Sequence, residues 1–116
     1  MAYNYPKDNR EFIRRLEASG DLRTIEQEVD WDLEMGAITR RVCELQAPSP
    51  YFKKIKDYPG FESLGAPMAT YRRLAIAMGM EADASIPEIA NEYVKRTQEE
   101  PIPPVTIDAK VAPCKE

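Results

Sequence analysis

The sequence contains no histidine. That excludes Ser–His and Cys–His nucleophilic pairs and every imidazole metal site, so any catalysis would fall to carboxylates, lysines, tyrosines or a cofactor. Cysteine is nearly absent as well. Cys43 and Cys114 lie far apart, Cys43 in a helical stretch, and no disulfide between them is expected in a cytosolic protein. The five glycines, at 20, 36, 60, 65 and 79, form neither GxGxxG nor a P-loop, which excludes a self-contained nucleotide cradle. No apolar run approaches the ~20 residues that span a bilayer. Met1 to Lys7 lacks the apolar stretch of a signal peptide, and a cytoplasmic location is expected.

Positive charge is in deficit. Sixteen Lys and Arg against twenty Asp and Glu leave a net charge of −4, so nucleic acid and anionic membranes are not expected partners. What is present fits one soluble domain: 116 residues, 43% apolar and 31% charged, enough for a single modest core. Prolines cluster at Pro48/Pro50 and from Pro101 onward, which places extended segments there.

The stretch Glu28 to Val42 organises the chain. It reads as a strand end, an acidic capped corner and an amphipathic helix, with Met35, Ile38, Val42 and Leu45 on one stripe. Leu33, Ala37, Arg40 and Glu44 fall on the other side, where Arg40 and Glu44 pair one turn apart. Asp30 or Asp32 is expected to cap this helix, and Pro48-Ser49-Pro50 ends it.

Before it, Asp8-Asn9-Arg10-Glu11 has capping-box spacing and opens a helix to about Ser19 that buries Phe12, Ile13 and Leu16. Gly20 stops it. Leu22 to Val29 reads as a strand whose imperfect alternation allows a bulge. After it come a strand at Tyr51 to Ile55, a turn at Asp57-Tyr58-Pro59-Gly60, and an extended segment from Phe61 to Met68. Thr70 caps a third helix with Tyr71, Leu74, Ala75 and Met78 on one stripe, ended by Gly79. Ser85-Ile86-Pro87-Glu88 opens a fourth that buries Ile86, Ile89, Ala90, Tyr93 and Val94. Pro101 to Val105 is extended, and Thr106 to Val111 has the composition of a strand.

No constellation in this chain assembles an active site. The acidic series Glu26, Glu28, Asp30, Asp32, Glu34 lacks EF-hand spacing and reads as a solvated face plus helix-start charge. Arg40-Arg41, Lys53-Lys54 with Lys56, and Arg72-Arg73 read as solvated faces or internal ion pairs. Trp31 sits at the strand–helix corner, suited to core or interdomain packing. Trp31, Arg72 and Arg73 are the candidate interdomain contacts; no catalytic, cofactor-binding or metal residue is assigned.

The order of motifs is more specific than any one of them. Phe12 to Leu22 (FIRRLEASGDL) is followed by Glu28-Val29-Asp30 and then by Leu33 to Arg41 (LEMGAITRR). Tyr58-Pro59-Gly60, Leu64 to Pro67 (LGAP) and Arg73 to Gly79 (RLAIAMG) come next, and Pro101 to Pro104 (PIPP) and Ala112 to Glu116 (APCKE) close the series. Together they resemble the N-terminal domain of the UbiD family of reversible decarboxylases, closest to the branch acting on hydroxybenzoates such as gallate, protocatechuate and vanillate. The segment between Pro67 and Arg73 is shorter than in many relatives.

The resemblance implies a carboxy-lyase that uses prenylated FMN with a divalent metal (Mn or Mg) and potassium (K). Its catalytic residues, and its flavin and metal ligands, belong to a split-barrel domain beyond a position like Glu116, and none is carried over to this chain. The expected partners are the flavin-binding and C-terminal domains of the same enzyme, in a homo-oligomer.

The expected fold is a small α+β domain of about four helices on a short mixed or antiparallel sheet. Residues 1–100 form the domain, and 101–116 form an extended Pro-rich linker or strand leading toward a flavin-binding domain. The alternative is a free-standing, non-catalytic subunit that binds a protein partner, with the segment after Pro104 docking by strand addition.

Overall fold

Helix α1, Asn9–Ala18, begins where Asp8 leaves the helical region and its side chain accepts from the Glu11 amide at 2.8 Å. Glu11 reaches back to the Lys7 amide at 2.9 Å, closing the turn. The computed structural model describes residues 3–115. Over that range the order continues with β1 (Leu22–Val29), α2 (Glu34–Leu45), β2 (Ser49–Ile55), β3 (Ser63–Leu64), α3 (Tyr71–Ala77) and α4 (Ile86–Thr97). A 3-10 turn follows at Pro113–Lys115.

The sheet is mixed, in the order β1-β2-β3. Strands β1 and β2 run parallel, which requires a crossover, and α2 is that crossover. The imperfect alternation of β1 has a physical source. Its register with β2 slips between Ile25 and Glu28, a bulge, and Glu26, Gln27 and Glu28 are all exposed. Strand β3 is antiparallel to β2 and only two residues long, much less than the extended segment expected from Phe61 to Met68. Gly65 ends the pairing: its amide donates to the Pro50 carbonyl, and a Cβ there would press on Thr39 and Pro50.

Among the described residues two small clusters make up most of the core, with Val29 and Phe52 buried in the sheet beside them. Phe12, Leu16 and Ile76 join α1 to α3, with Leu22 and Leu64 packed against them. Ala75, Met78 and Ile89 join α3 to α4. The N-terminal segment lies across the same region, where Arg15 donates to the Asn4 carbonyl at 2.6 Å and the Arg96 guanidinium stacks 4.0 Å over the Tyr3 ring.

Several expectations need correction. Neither Asp30 nor Asp32 is the N-cap of α2. Leu33 holds that position at φ 65°, with no side-chain cap, while the Asp30 carboxylate receives the Asp32 amide and Glu34 receives the Asp30 amide at 2.7 Å. The α2 stripe is half-buried at Met35, Ile38 and Val42, and Leu45 is exposed, because α2 packs chiefly against β2. Strand β2 begins at Ser49, two residues earlier than expected, and Ser49 and Pro50 are fully buried. The left-handed Gln46 turns the chain out of α2 directly into it. In α3, Tyr71 faces out, whereas Ile76 is buried. In α4 only Ile89 of the expected apolar face is buried; Ile86, Ala90, Tyr93 and Val94 are exposed. Thr106 to Val111 is not a strand, and residues 101–111 lie exposed without pairing. The radius of gyration is accordingly 17.6 Å, against about 13 Å for a compact chain of this length.

Candidate functional site

Among the described residues no three His, Cys, Asp or Glu side chains gather to hold a metal ion. The carboxylates are instead spent on neighbouring cations. Glu62 is paired with the Lys53 ammonium and accepts from the Tyr51 hydroxyl. Lys53 and then Tyr51 hold its carboxyl below the usual range, and in return Glu62 raises both of theirs. This group borders an open cavity of about 660 Å³ between the start of α1 and the β2–β3 edge, lined by Asn9, Phe12, Tyr51, Glu62, Leu64 and Met68. It has no buried charge to orient a ligand and no glycine loop to cradle a phosphate. The donor set of this cavity therefore does not fit a flavin phosphate or a divalent metal.

The three candidate interdomain residues lie in different places. Arg72, on the exposed side of α3, pairs with Asp21 at 2.6 Å and donates to the Ser19 carbonyl at 2.9 Å, tying α3 to the α1–β1 corner. Arg73 is 1% exposed and points inward. It donates from Nη1 to the Ala47 carbonyl at 2.9 Å, while Nε and Nη2 meet no acceptor among the described residues. Burial pushes its guanidinium below the ordinary value, with the Asp21 carboxylate acting against that. Trp31 is 52% exposed. Its ring meets Tyr58 edge-on at 6.0 Å, and Tyr58 meets Phe61 edge-on at 6.4 Å.

Exposed apolar surface is the chain's most conspicuous asset. Besides the Trp31–Tyr58–Phe61 ladder, a trough of about 350 Å³ runs between α3 and α4, lined by Tyr71, Leu74, Ile86, Ala90, Tyr93 and Val94. Ile102 and Val105 beyond it are almost entirely exposed. A domain of this size rarely leaves so much apolar surface uncovered without a partner for it. The sequence pattern missed Tyr58 and Phe61, which read as turn and strand residues, because only the turn at Pro59-Gly60 brings them beside Trp31.

Residues 13–93 match the pattern of the 3-octaprenyl-4-hydroxybenzoate carboxy-lyase N-terminal domain, UbiD_N. The chain belongs to the UbiD N-terminal domain family.

Its UbiD relatives include ferulic acid decarboxylase 1 of Saccharomyces cerevisiae, 35% identical over 91% of this chain and 23% of the relative. The pyrrole-2-carboxylic acid decarboxylase of Pseudomonas aeruginosa is 39% identical over 84% of this chain and 21% of the relative. Among solved structures, the vanillic acid decarboxylase of Sedimentibacter hydroxybenzoicus in its open form superposes with a TM-score of 0.77 at 29% identity, over 99% of this chain and 24% of that one. The chain thus spans about a quarter of the length of the relatives it matches. The UbiD resemblance read from the ordered motifs is borne out, as is the α+β fold with a mixed sheet. No helix among the described residues is long and apolar enough to cross a membrane.

Proposed function

We propose that the chain is the N-terminal structural domain of a reversible, non-oxidative aryl-acid carboxy-lyase that uses prenylated FMN, acting on a hydroxybenzoate of the vanillate, gallate or protocatechuate kind. Residues 1–100 form the domain, and 101–116 form the linker to the flavin-binding portion. The observation that carries this reading is the superposition, along almost the whole chain, on one quarter of a vanillic acid decarboxylase.

In such an enzyme the modified flavin, with a divalent metal (Mn or Mg) and K, supplies the electron sink. This chain supplies support. Its exposed trough between α3 and α4, and the apolar segment that leaves the end of α4, offer the catalytic portion an uncharged surface to bury. The same reading places the enzyme in the cytoplasm as a homo-oligomer.

The test pairs an intact mass with an assay. The protein isolated from its native source is expected to weigh several times the 13.2 kDa of this chain and to release CO2 from a hydroxybenzoate. The 116-residue chain, given prenylated FMN, is expected to release none. A native mass of 13.2 kDa would overturn the reading in favour of a free-standing subunit. Flavin-dependent CO2 release by the short chain would overturn the supporting role.

A further inference from the structure

The end of the sheet where the parallel strands β1 and β2 finish carries two features that packing within this chain does not require. The first is the aromatic ladder. Trp31 follows β1, Tyr58 and Phe61 follow β2, and the three rings are 52%, 49% and 68% exposed, with Tyr58 meeting Trp31 on one side and Phe61 on the other edge-on. The second is Leu33. The Glu34 amide donates to the Asp32 carbonyl at 2.7 Å, closing a three-residue turn around Leu33 at φ 65°, ψ −42°. That is the rare, strained hand of the γ-turn, held by a side-chain-bearing residue that is 81% exposed. Strain kept to present an apolar side chain to water marks a contact surface rather than a packing solution.

The rim of this patch is acidic. Glu28, Asp30, Asp32, Glu34, Asp57 and Glu62 lie along or beside it in the chain, and the cations among them are Lys53, Lys54 and Lys56, with Lys53 paired to Glu62. Lys56 pairs with Asp30 at 2.8 Å and also feels Asp57 and Glu28; Lys54 stands opposite Glu28 in the strand register. Six carboxylates against three ammoniums leave the rim negative. A second copy meeting this patch face to face would set like charges together, and an anionic membrane or a nucleic acid would be repelled.

The structure assigns the Trp31–Leu33–Tyr58–Phe61 surface as a docking site for a protein partner whose contact face is apolar at its centre and lined by lysines and arginines. Aromatic anchors at the centre supply affinity and the charged rim supplies steering and selectivity. The assignment stands apart from the decarboxylase reading, since binding and CO2 release are read separately.

Trp31 is the chain's sole tryptophan and reports directly on the site. The probe is a tryptophan-free amphipathic helical peptide of leucine and lysine, titrated into the full chain while Trp31 emission is followed. The expected result is a blue shift, affinity at least tenfold tighter than for an oligolysine of equal charge, and weakening by salt. A leucine–glutamate peptide of the same pattern produces no shift. Phe61→Ser, which leaves the reporter in place, weakens binding at least tenfold. Leu33→Gly also weakens it, and because glycine relieves the strained turn, this variant stays folded if Phe61→Ser does not.

Equal binding of oligolysine or of the leucine–glutamate peptide overturns the assignment. So does unaltered affinity in both variants. A blue shift that grows with protein concentration alone makes the site a self-association surface, and one produced by anionic vesicles makes it a membrane surface; either replaces the assignment.

Discussion

Arg73, buried in α3, hydrogen-bonds the Ala47 carbonyl at 2.9 Å just past the end of α2, and among the described residues this is the one acceptor its guanidinium meets. A cation placed there satisfies a helix-end carbonyl region and complements the negative end of α2. It also links α3 to the α2–β2 corner.

The substitution series at Arg73 separates charge from volume. Arg73→Ala removes the bond and leaves a cavity, and is expected to cost about 2–4 kcal/mol in urea unfolding. Arg73→Met keeps most of the volume without a buried charge, and is expected to cost less than half of that. Equal losses from both would mean that the guanidinium itself, and not its bulk, holds the corner.

Two glycines are expected to respond in opposite directions to alanine. Gly79 sits at φ 72° directly beneath Asn4, and an added Cβ would overlap the Asn4 carbonyl. Gly79→Ala is expected to destabilise by at least about 1–2 kcal/mol from the backbone alone. Gly36 lies inside α2 with open space around it. Gly36→Ala is expected to stabilise by about 0.5–1 kcal/mol. Thermal melts of the two single variants check both signs.

Acid is expected to weaken the fold through its surface carboxylates. Lys53 and Tyr51 lower the pKa of Glu62, Arg96 lowers that of Glu92, and Lys56 and the Asp32 amide lower that of Asp30. A carboxylate depressed in the folded state adds stability above its unfolded value of about 4, and that stability is lost as pH falls through the folded value. The melting temperature should therefore drop between about pH 5 and pH 3. Glu62→Gln should flatten that limb, and an unchanged slope would remove Glu62 from the account.

The segment after α4 is expected to be dispensable for folding. Residues 101–111 are exposed and unpaired, so limited trypsin should cut first after Lys110, with mass spectrometry reading the site. Deleting 101–116 should move the melting temperature by less than about 3 °C. A larger drop would mean that the segment packs on the domain in solution.

The Asp8 cap is a local test. Its carboxylate accepts the Glu11 amide at 2.8 Å, so Asp8→Ala should cost about 0.5–2 kcal/mol. The loss should appear in helical circular dichroism as well as in the unfolding midpoint.

Local rules sufficed wherever a short run of residues decides its own conformation. The capping box at Asp8, the Thr70 and Ser85 helix starts, the glycine stops at 20 and 79, and the bulged strand from Leu22 to Val29 were all legible, because caps, φ preferences and periodicity act within a few residues. The ordered motifs likewise carried the family. Tertiary structure alone decided which faces are covered. Helix α4 has an amphipathic pattern, yet only Ile89 is buried, since periodicity says which side is apolar and not whether anything packs on it. Arg73 reads as part of a solvated face, an internal ion pair or an interdomain contact, and is instead buried with its guanidinium on the Ala47 carbonyl just past α2. Trp31, Tyr58 and Phe61 meet because two parallel strands end side by side, a pairing across more than twenty residues of chain that no local pattern encodes.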